Sequence, residues 1–373
     1  MTAPLSQELK RWLSPLPEGG ERTALQLKRP ESGGPIAGIL ASRKSESTLA
    51  GNSRLFKDIQ REMLSRGGIS VVFAPEDVSG AGVDGIVYLP GQDAWYLVAA
   101  PLPDIIYNRV PFRKSEQTGG FRKAAEFFRT RKIPFFNPCF LEKFECYTVL
   151  KQDAGLTPYL PDTILIDSGP ELGSFLMKHK DLYVKPNSSS KGKGILRVWM
   201  NNEGIILVKD LNGQTRHSDF AHFWNSWKSV FEEQAHIAQE AVYAATPDGQ
   251  RNDFRILAHG QAGNYKVTGI GIRQAAEDDI TTHIPNGGRL IPYEHYRTAA
   301  HDEFIQEAVK KAGDALSRGT GWFGEFSMDA GYAENGRYVI YEINSKPMKF
   351  DEENIEAERI RRLADILFEK ADY

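Results

Sequence analysis

Two short apolar runs, residues 323–329 and 338–343, flank Asn335-Gly336. Asn and Gly tolerate the positive φ angles of a tight turn between twisted strands, so this stretch predicts an antiparallel hairpin. Side chains on a strand alternate between its faces, which sets Glu342 and Asn344 on one side and lets the turn bring Asp329 opposite them. Phe326, Met328, Ile340 and Ile343 are expected on the other face, against a core. Two carboxylates and a carboxamide then converge. Such a set suits a hard cation like Mg2+, which keeps some waters and takes further oxygens from nucleotide phosphates. Adjacent carboxylates repel one another unless a cation lies between them; the competing reading is a plain polar strand face open to water.

A second feature sits upstream, in YVKPNSSSKGKG at residues 183–194. Lys185 ends an apolar strand and is followed by Ser188, Ser189 and Ser190, then by Gly192 and Lys193. Glycine permits close backbone approach, so the loop can aim N–H groups at a polyphosphate, with serine hydroxyls as further donors and lysines as charge. This is not a Walker A loop, because GxxxxGK[ST] is absent and a strand is expected to follow. An ordinary solvated hairpin would look the same in isolation.

Around these motifs the chain reads as mixed α/β. Residues 36–40, 53–65 and 69–73 predict strand, helix and strand, and 105–107, 120–131 and 133–136 predict a second such unit. A change of character near Pro138 marks a boundary that divides residues 1–137 from residues 138–373. Beyond it come a helix at 169–179, strands at 182–185, 195–199 and 205–209, and an aromatic-rich helix at 218–231 with Ser218 as its cap. Strands at 254–259 and 265–273 pair across a glycine turn, a helix covers 302–317, and an amphipathic helix covers 352–370.

The 46 basic and 49 acidic residues leave a net charge of −3, so no overall field gathers nucleic acid or coats an anionic membrane. No apolar run approaches the ~20 residues of a membrane span. The opening residues lack a secretory h-region and cysteine is sparse, which makes the cytoplasm the expected location. Cys139 and Cys146 show no zinc-like spacing and read as small packing residues.

Taken in order, Lys185 with its serine loop, Gln239-Glu240-Ala241-Val242, Asp253-Phe254-Arg255, Asn286-Gly287-Gly288 and Asp329…Glu342-Ile343-Asn344 resemble the ATP-grasp superfamily. PLPDIIYNRV at 101–110, the DFR triplet, and GEFSMD followed by YEINSKP resemble, more narrowly, the YheC/YheD family of endospore coat-associated ATP-grasp proteins. The resemblance implies a strand-rich N-terminal α/β pre-grasp region and then two α+β subdomains clasping a nucleotide, the lid falling at about 160–240. It implies ATP with Mg2+, or Mn2+ in its place. Lys185 and the serine loop would bind phosphates, with Lys143 as a second phosphate lysine. Residues Gln239, Glu240, Ala241 and Val242 would form the adenine hinge, and Asp253 would reach the ribose. Arg255 and Arg273 would carry catalytic work, since guanidinium forks clamp phosphate oxygens and spread transition-state charge; a cross-strand ion pair is the plainer reading of each. Asp329, Glu342 and Asn344 would hold the metal. His283, where many relatives carry asparagine, and Met348, where glycine is common, depart from the pattern.

The chemistry so implied is the ATP-dependent joining of a carboxylate to an amine or thiol through an acyl phosphate, achieved by positioning and charge neutralisation. Rival readings are a catalytically silent nucleotide-binding scaffold of the spore coat and a small-molecule kinase. Expected partners are the nucleotide, an unidentified carboxylate and amine, and spore coat proteins, with the mother-cell cytoplasm or the coat as the location.

Overall fold

The computed structural model describes residues 7–15, 25–45, 48–189, 194–243, 252–261, 263–274 and 289–371. Within them the strands form three large sheets and a small two-stranded one. The N-terminal sheet is built on the parallel strands Ile36–Leu40, Ile69–Phe73 and Ile105–Asn108. Every residue of these strands is buried, as continuous apolar strands covered on both faces must be. Helix Ser53–Ser65 packs Leu55, Ile59 and Met63 on one face, and helix Gly119–Thr130 packs Phe121, Ala124 and Phe128 on the other. Asn52 caps the first of these by accepting from Leu55 N at 3.2 Å, and Gly67, at φ +84°, turns the chain out of it.

The middle sheet is antiparallel throughout, in the order Thr163–Leu165, His236–Glu240, Asp181–Pro186, Leu196–Met200, Ile206–Asp210, Gly213–His217. Helices Gly169–His179 and Phe220–Glu233 bury Leu172, Leu176, Phe223 and Phe231 against Leu182, Val184 and Val198. The second of these helices is capped by Asp219, not by Ser218. The Asp219 carboxylate accepts from His222 N at 2.9 Å and Ser218 donates to that carboxylate instead, because the anion is the better acceptor at a helix N-terminus.

The C-terminal sheet, also antiparallel, runs Arg289–Pro292, Asn264–Gln274, Asn252–Gln261, Glu325–Tyr332, Tyr338–Asn344. One face, with Phe254, Ile256, Ile272, Phe326 and Met328, packs on Phe304, Ala308, Val309 and Ala312 of helix Ala299–Thr320. Strict alternation would place Ile340 beside Glu342. A bulge between Asp329 and Ala330 pairs Ile340 with Ala330 instead and turns it to the core.

Helix Glu353–Glu369 ties the first and last sheets together. Ile355 packs with Leu257 and Phe350, whereas Leu363, Ile366 and Leu367 join Ile59 and Met63 beneath the N-terminal sheet. Cys139 and Cys146 form no disulfide, and burial pushes their thiols up to about 11 and about 12, in keeping with packing residues. Among the described residues no helix is long and apolar enough to cross a membrane.

Candidate nucleotide and metal site

With one face of the C-terminal sheet spent on the core, its polar residues are forced to the other. Asp329 and Glu342 are direct cross-strand partners there, Arg255 lies opposite Asp329, Arg273 opposite Asp253, and Asn344 opposite Ser327. Asn344 thus follows Glu342 along the same face. Arg273 donates to Asp329 at 2.9 Å with its side chain 5% exposed, and its Nε finds no acceptor among the described residues. Burial lowers the Arg255 pKa; its Nη2 reaches the carbonyls of Lys349 at 3.3 Å and Met348 at 3.5 Å, and the guanidinium lies 4.5 Å from the Phe350 ring centre. Arg255 and Arg273 therefore flank the carboxylate row.

The opposing wall comes from the middle sheet. Lys185, near the end of strand Asp181–Pro186, donates to Gln239 Oε1 at 2.8 Å, and Gln239 Nε2 donates to Thr163 Oγ1 at 3.1 Å. The serine loop is stitched to the start of helix Lys143–Lys151. Asn187 donates to Glu142 at 2.7 Å while accepting from Phe144 N at 2.9 Å, and Ser188 donates to Glu142 at 2.8 Å. Lys143 donates to Ser189 O at 2.5 Å, and its Nζ stands 3.4 Å from Glu342 Oε1. Ser190, Gly192 and Lys193 lie outside the described residues, as do His283 and the 286–288 segment.

Between the walls lies a narrow cleft with a cavity volume of about 40 Å³, lined by Lys143, Lys185, Gln239 and Glu342 together with Leu150, Leu160, Ile237 and Ile340. Apolar walls with a few convergent polar groups are the usual lining of a ligand site, and at this width the two sheets have to part to admit a nucleotide.

Other members of the expected set point elsewhere. Of the hinge residues, Gln239 faces the cleft, whereas Glu240 pairs with Arg337 and stands 3.3 Å from His179. The Ala241 N–H donates to Asp181 O at 3.0 Å, and Ala241 and Val242 line a separate groove beside Ala333 and Asn335. Asp253 is buried opposite Arg273 and is absent from the cleft lining. Met348 is 54% exposed at the edge of the carboxylate face.

Several participants escape a reading of the sequence. Glu142 and Asn187 dock the serine loop, and Cys146, Leu150, Leu160 and Ile237 give the cleft its apolar wall. Beneath the site a buried network joins Glu325 to Arg359, to Tyr107 at 2.6 Å and to His259 at 3.4 Å. The one signal for it was an arginine in an apolar stripe, Ile355-Arg359-Leu363, at four-residue spacing.

A family model for YheC/D-like ATP-grasp proteins matches residues 132–373. The chain belongs to that family. Its ATP-grasp fold accounts for two sheets facing one another across a cleft. The endospore coat-associated protein YheD of Bacillus subtilis (strain 168) is 25% identical over 333 residues, covering 84% of this chain and 73% of that protein. D-alanyl-alanine synthetase A from Vibrio cholerae O1 biovar eltor str. N16961 is 10% identical with a TM-score of 0.55, over 91% of this chain and 98% of that one. The ATP-grasp ligase PsnB, solved with precursor peptide PsnA2 and AMPPNP, is 13% identical with a TM-score of 0.51, over 90% and 98% of the two chains. At such identities these structural likenesses speak for the fold.

Proposed function

We propose that this ATP-grasp protein binds Mg-ATP in the cleft and uses it to activate a carboxylate, which an amine or thiol then captures. The observation that carries this reading is the meeting of Lys143 with Glu342 at 3.4 Å, beside Asp329 and across from Lys185. Paired carboxylates on one sheet face, with a lysine closing on them, fit a hard cation bridging protein and phosphate oxygens. Asp329, Glu342 and Asn344 would hold Mg2+, which when bound neutralises phosphate charge. Mn2+ has the same ligand preferences and would serve in its place.

In this reading Lys143 and Lys185 fix the phosphate chain, and the backbone N–H groups around Ser188 and Ser189 cradle it. Arg255 and Arg273 orient the carboxylate for in-line attack and hold the acyl phosphate that results. No protein nucleophile is needed, because phosphoryl transfer asks mainly for alignment and charge stabilisation. The endospore coat-associated name of the YheD relative supports a place in spore formation, in the mother cell or coat, with coat proteins as partners.

The test is ADP release on incubation with panels of carboxylates and amines, with hydroxylamine added to trap acyl phosphates as hydroxamates. Mg-ATP binding without ADP release in any panel would leave a nucleotide-binding scaffold. A stable phosphorylated product that hydroxylamine does not capture would make the protein a kinase.

A further inference from the structure

Asn137 follows the short strand Phe135–Phe136, which pairs in parallel with Ile105–Asn108 at the edge of the N-terminal sheet. It is wholly buried and sits at φ +55°, a left-handed conformation that few residues besides glycine and asparagine adopt. Its carboxamide reaches the C-terminal sheet. Oδ1 accepts from Glu325 N at 3.1 Å, Nδ2 donates to Glu325 O at 2.7 Å, and Nδ2 also donates to Ser345 O. Both donors and the acceptor of the amide are thus engaged with backbone of the two strands that carry Asp329, Glu342 and Asn344.

Glu325 opens one arm of that hairpin and Ser345 follows the other. The ladder between the arms ends at Ser327 opposite Asn344. Asn344 therefore stands on the last rung, at the end away from the Asn335-Gly336 turn, where paired strands come apart most readily. Asp329 and Glu342 lie further in, with paired residues on both sides. Asn137 closes the hairpin just beyond Asn344, in the place of a further rung. The next two residues are held as well: Lys346 Nζ donates to Val110 O at 3.1 Å and pairs with Glu116, and Pro347 O accepts from Arg109 at 3.2 Å and from Arg359 at 3.1 Å. Arg359 makes a second bridge farther out, since it also pairs with the Glu325 carboxylate. All of these partners except Arg359 lie within residues 1–137, so the N-terminal region holds the open end of the hairpin.

We propose that Asn137 is a positioning residue for the metal site, fixing the Asn344 carboxamide at the spacing from Asp329 and Glu342 that a small octahedral cation demands. This rests on the Mg-ATP reading above. Mg2+ tolerates little displacement of its oxygen ligands, so a hairpin free to splay at Asn344 loses metal affinity before it loses its fold. The phosphate lysines are carried by other elements, Lys143 by helix Lys143–Lys151 and Lys185 by the middle sheet. Nucleotide binding without metal is therefore independent of this rung.

The experiment titrates a non-hydrolysable ATP analogue by calorimetry, once with Mg2+ and once in EDTA, into the wild type, Asn137→Gly, Asn137→Asp and Glu342→Gln, with thermal midpoints alongside. Glycine keeps the left-handed backbone and removes the carboxamide; aspartate keeps the shape and the bond from Glu325 N–H but loses both donors. Each Asn137 substitution is expected to cut the Mg2+-dependent gain in affinity at least about fivefold, the worth of roughly one hydrogen bond, while affinity in EDTA stays at the wild-type value. Equal losses with and without Mg2+, or an undiminished Mg2+ gain in either folded variant, overturns the proposal. Loss of the fold in both variants makes Asn137 a purely structural residue and overturns it too. A gain that falls in Glu342→Gln but persists in Asn137→Gly removes the positioning role alone; no Mg2+ gain in the wild type, or the full gain in Glu342→Gln, removes the metal reading and this role with it.

Discussion

Lys143 Nζ and Glu342 Oε1 stand 3.4 Å apart across the cleft, so a helix start and a strand of the C-terminal sheet share one charge centre. Glu342 also faces Asp329 strand to strand. Replacing Glu342 with Gln removes a proposed metal ligand while keeping shape. Metal-dependent ADP release should fall by about a hundredfold or more, as when a pre-organised electrostatic group is lost, with the thermal midpoint held. Wild-type turnover in Glu342→Gln would end the metal assignment.

Lys185 is aimed by its 2.8 Å bond to Gln239, which Thr163 braces in turn. Lys185→Ala should weaken ATP about tenfold or more, the value of one charge-assisted hydrogen bond. Gln239→Leu should weaken ATP by less, since the ammonium remains but is no longer oriented. Titration calorimetry reads both, and unchanged affinity in Lys185→Ala would argue that phosphate lies elsewhere.

Burial alone would raise the Glu325 carboxyl, yet Arg359 and His259 hold it well below the usual carboxylate range. A carboxylate depressed in the folded state adds stability above its unfolded pKa of about 4.3, and that stability is lost as pH falls toward the folded value. Denaturant melts below about pH 4 should therefore show a steep loss that Glu325→Gln flattens. Arg359→Met, which strands the buried carboxylate, should cost about 3–5 kcal/mol at neutral pH. A smaller loss there would mean that Arg109, whose Nη1 lies 3.8 Å from the same carboxylate, carries the charge together with Tyr107 and His259.

Leu363 is wholly buried between the C-terminal helix and the N-terminal sheet. Leu363→Ala should lower stability by about 2–5 kcal/mol through lost burial and a residual cavity. Urea unfolding gives the figure; a loss under about 1 kcal/mol would indicate that the helix is loosely seated.

What the sequence disclosed depended on how local the signal was. The pairing of Asp329 with Glu342 was legible because strand alternation and an Asn-Gly turn act over a few residues. The cleft wall was not, because Cys146, Leu160 and Ile237 meet only once a helix, a loop and a strand have packed. Strand Gly213–His217 has no apolar alternation to announce it, since it is a polar sheet edge. The hinge divided for a geometric reason: adjacent strand residues face opposite ways, so Gln239 and Glu240 could not both enter the cleft.

The helix Glu353–Glu369 has a bearing on synthesis. Ile59 and Met63 wait for Leu363, Ile366 and Leu367 to cover them, although at least 300 residues separate the two groups. On the ribosome the N-terminal sheet thus carries an uncovered apolar underside until residues 353–369 emerge. Chaperone protection should matter most in that interval.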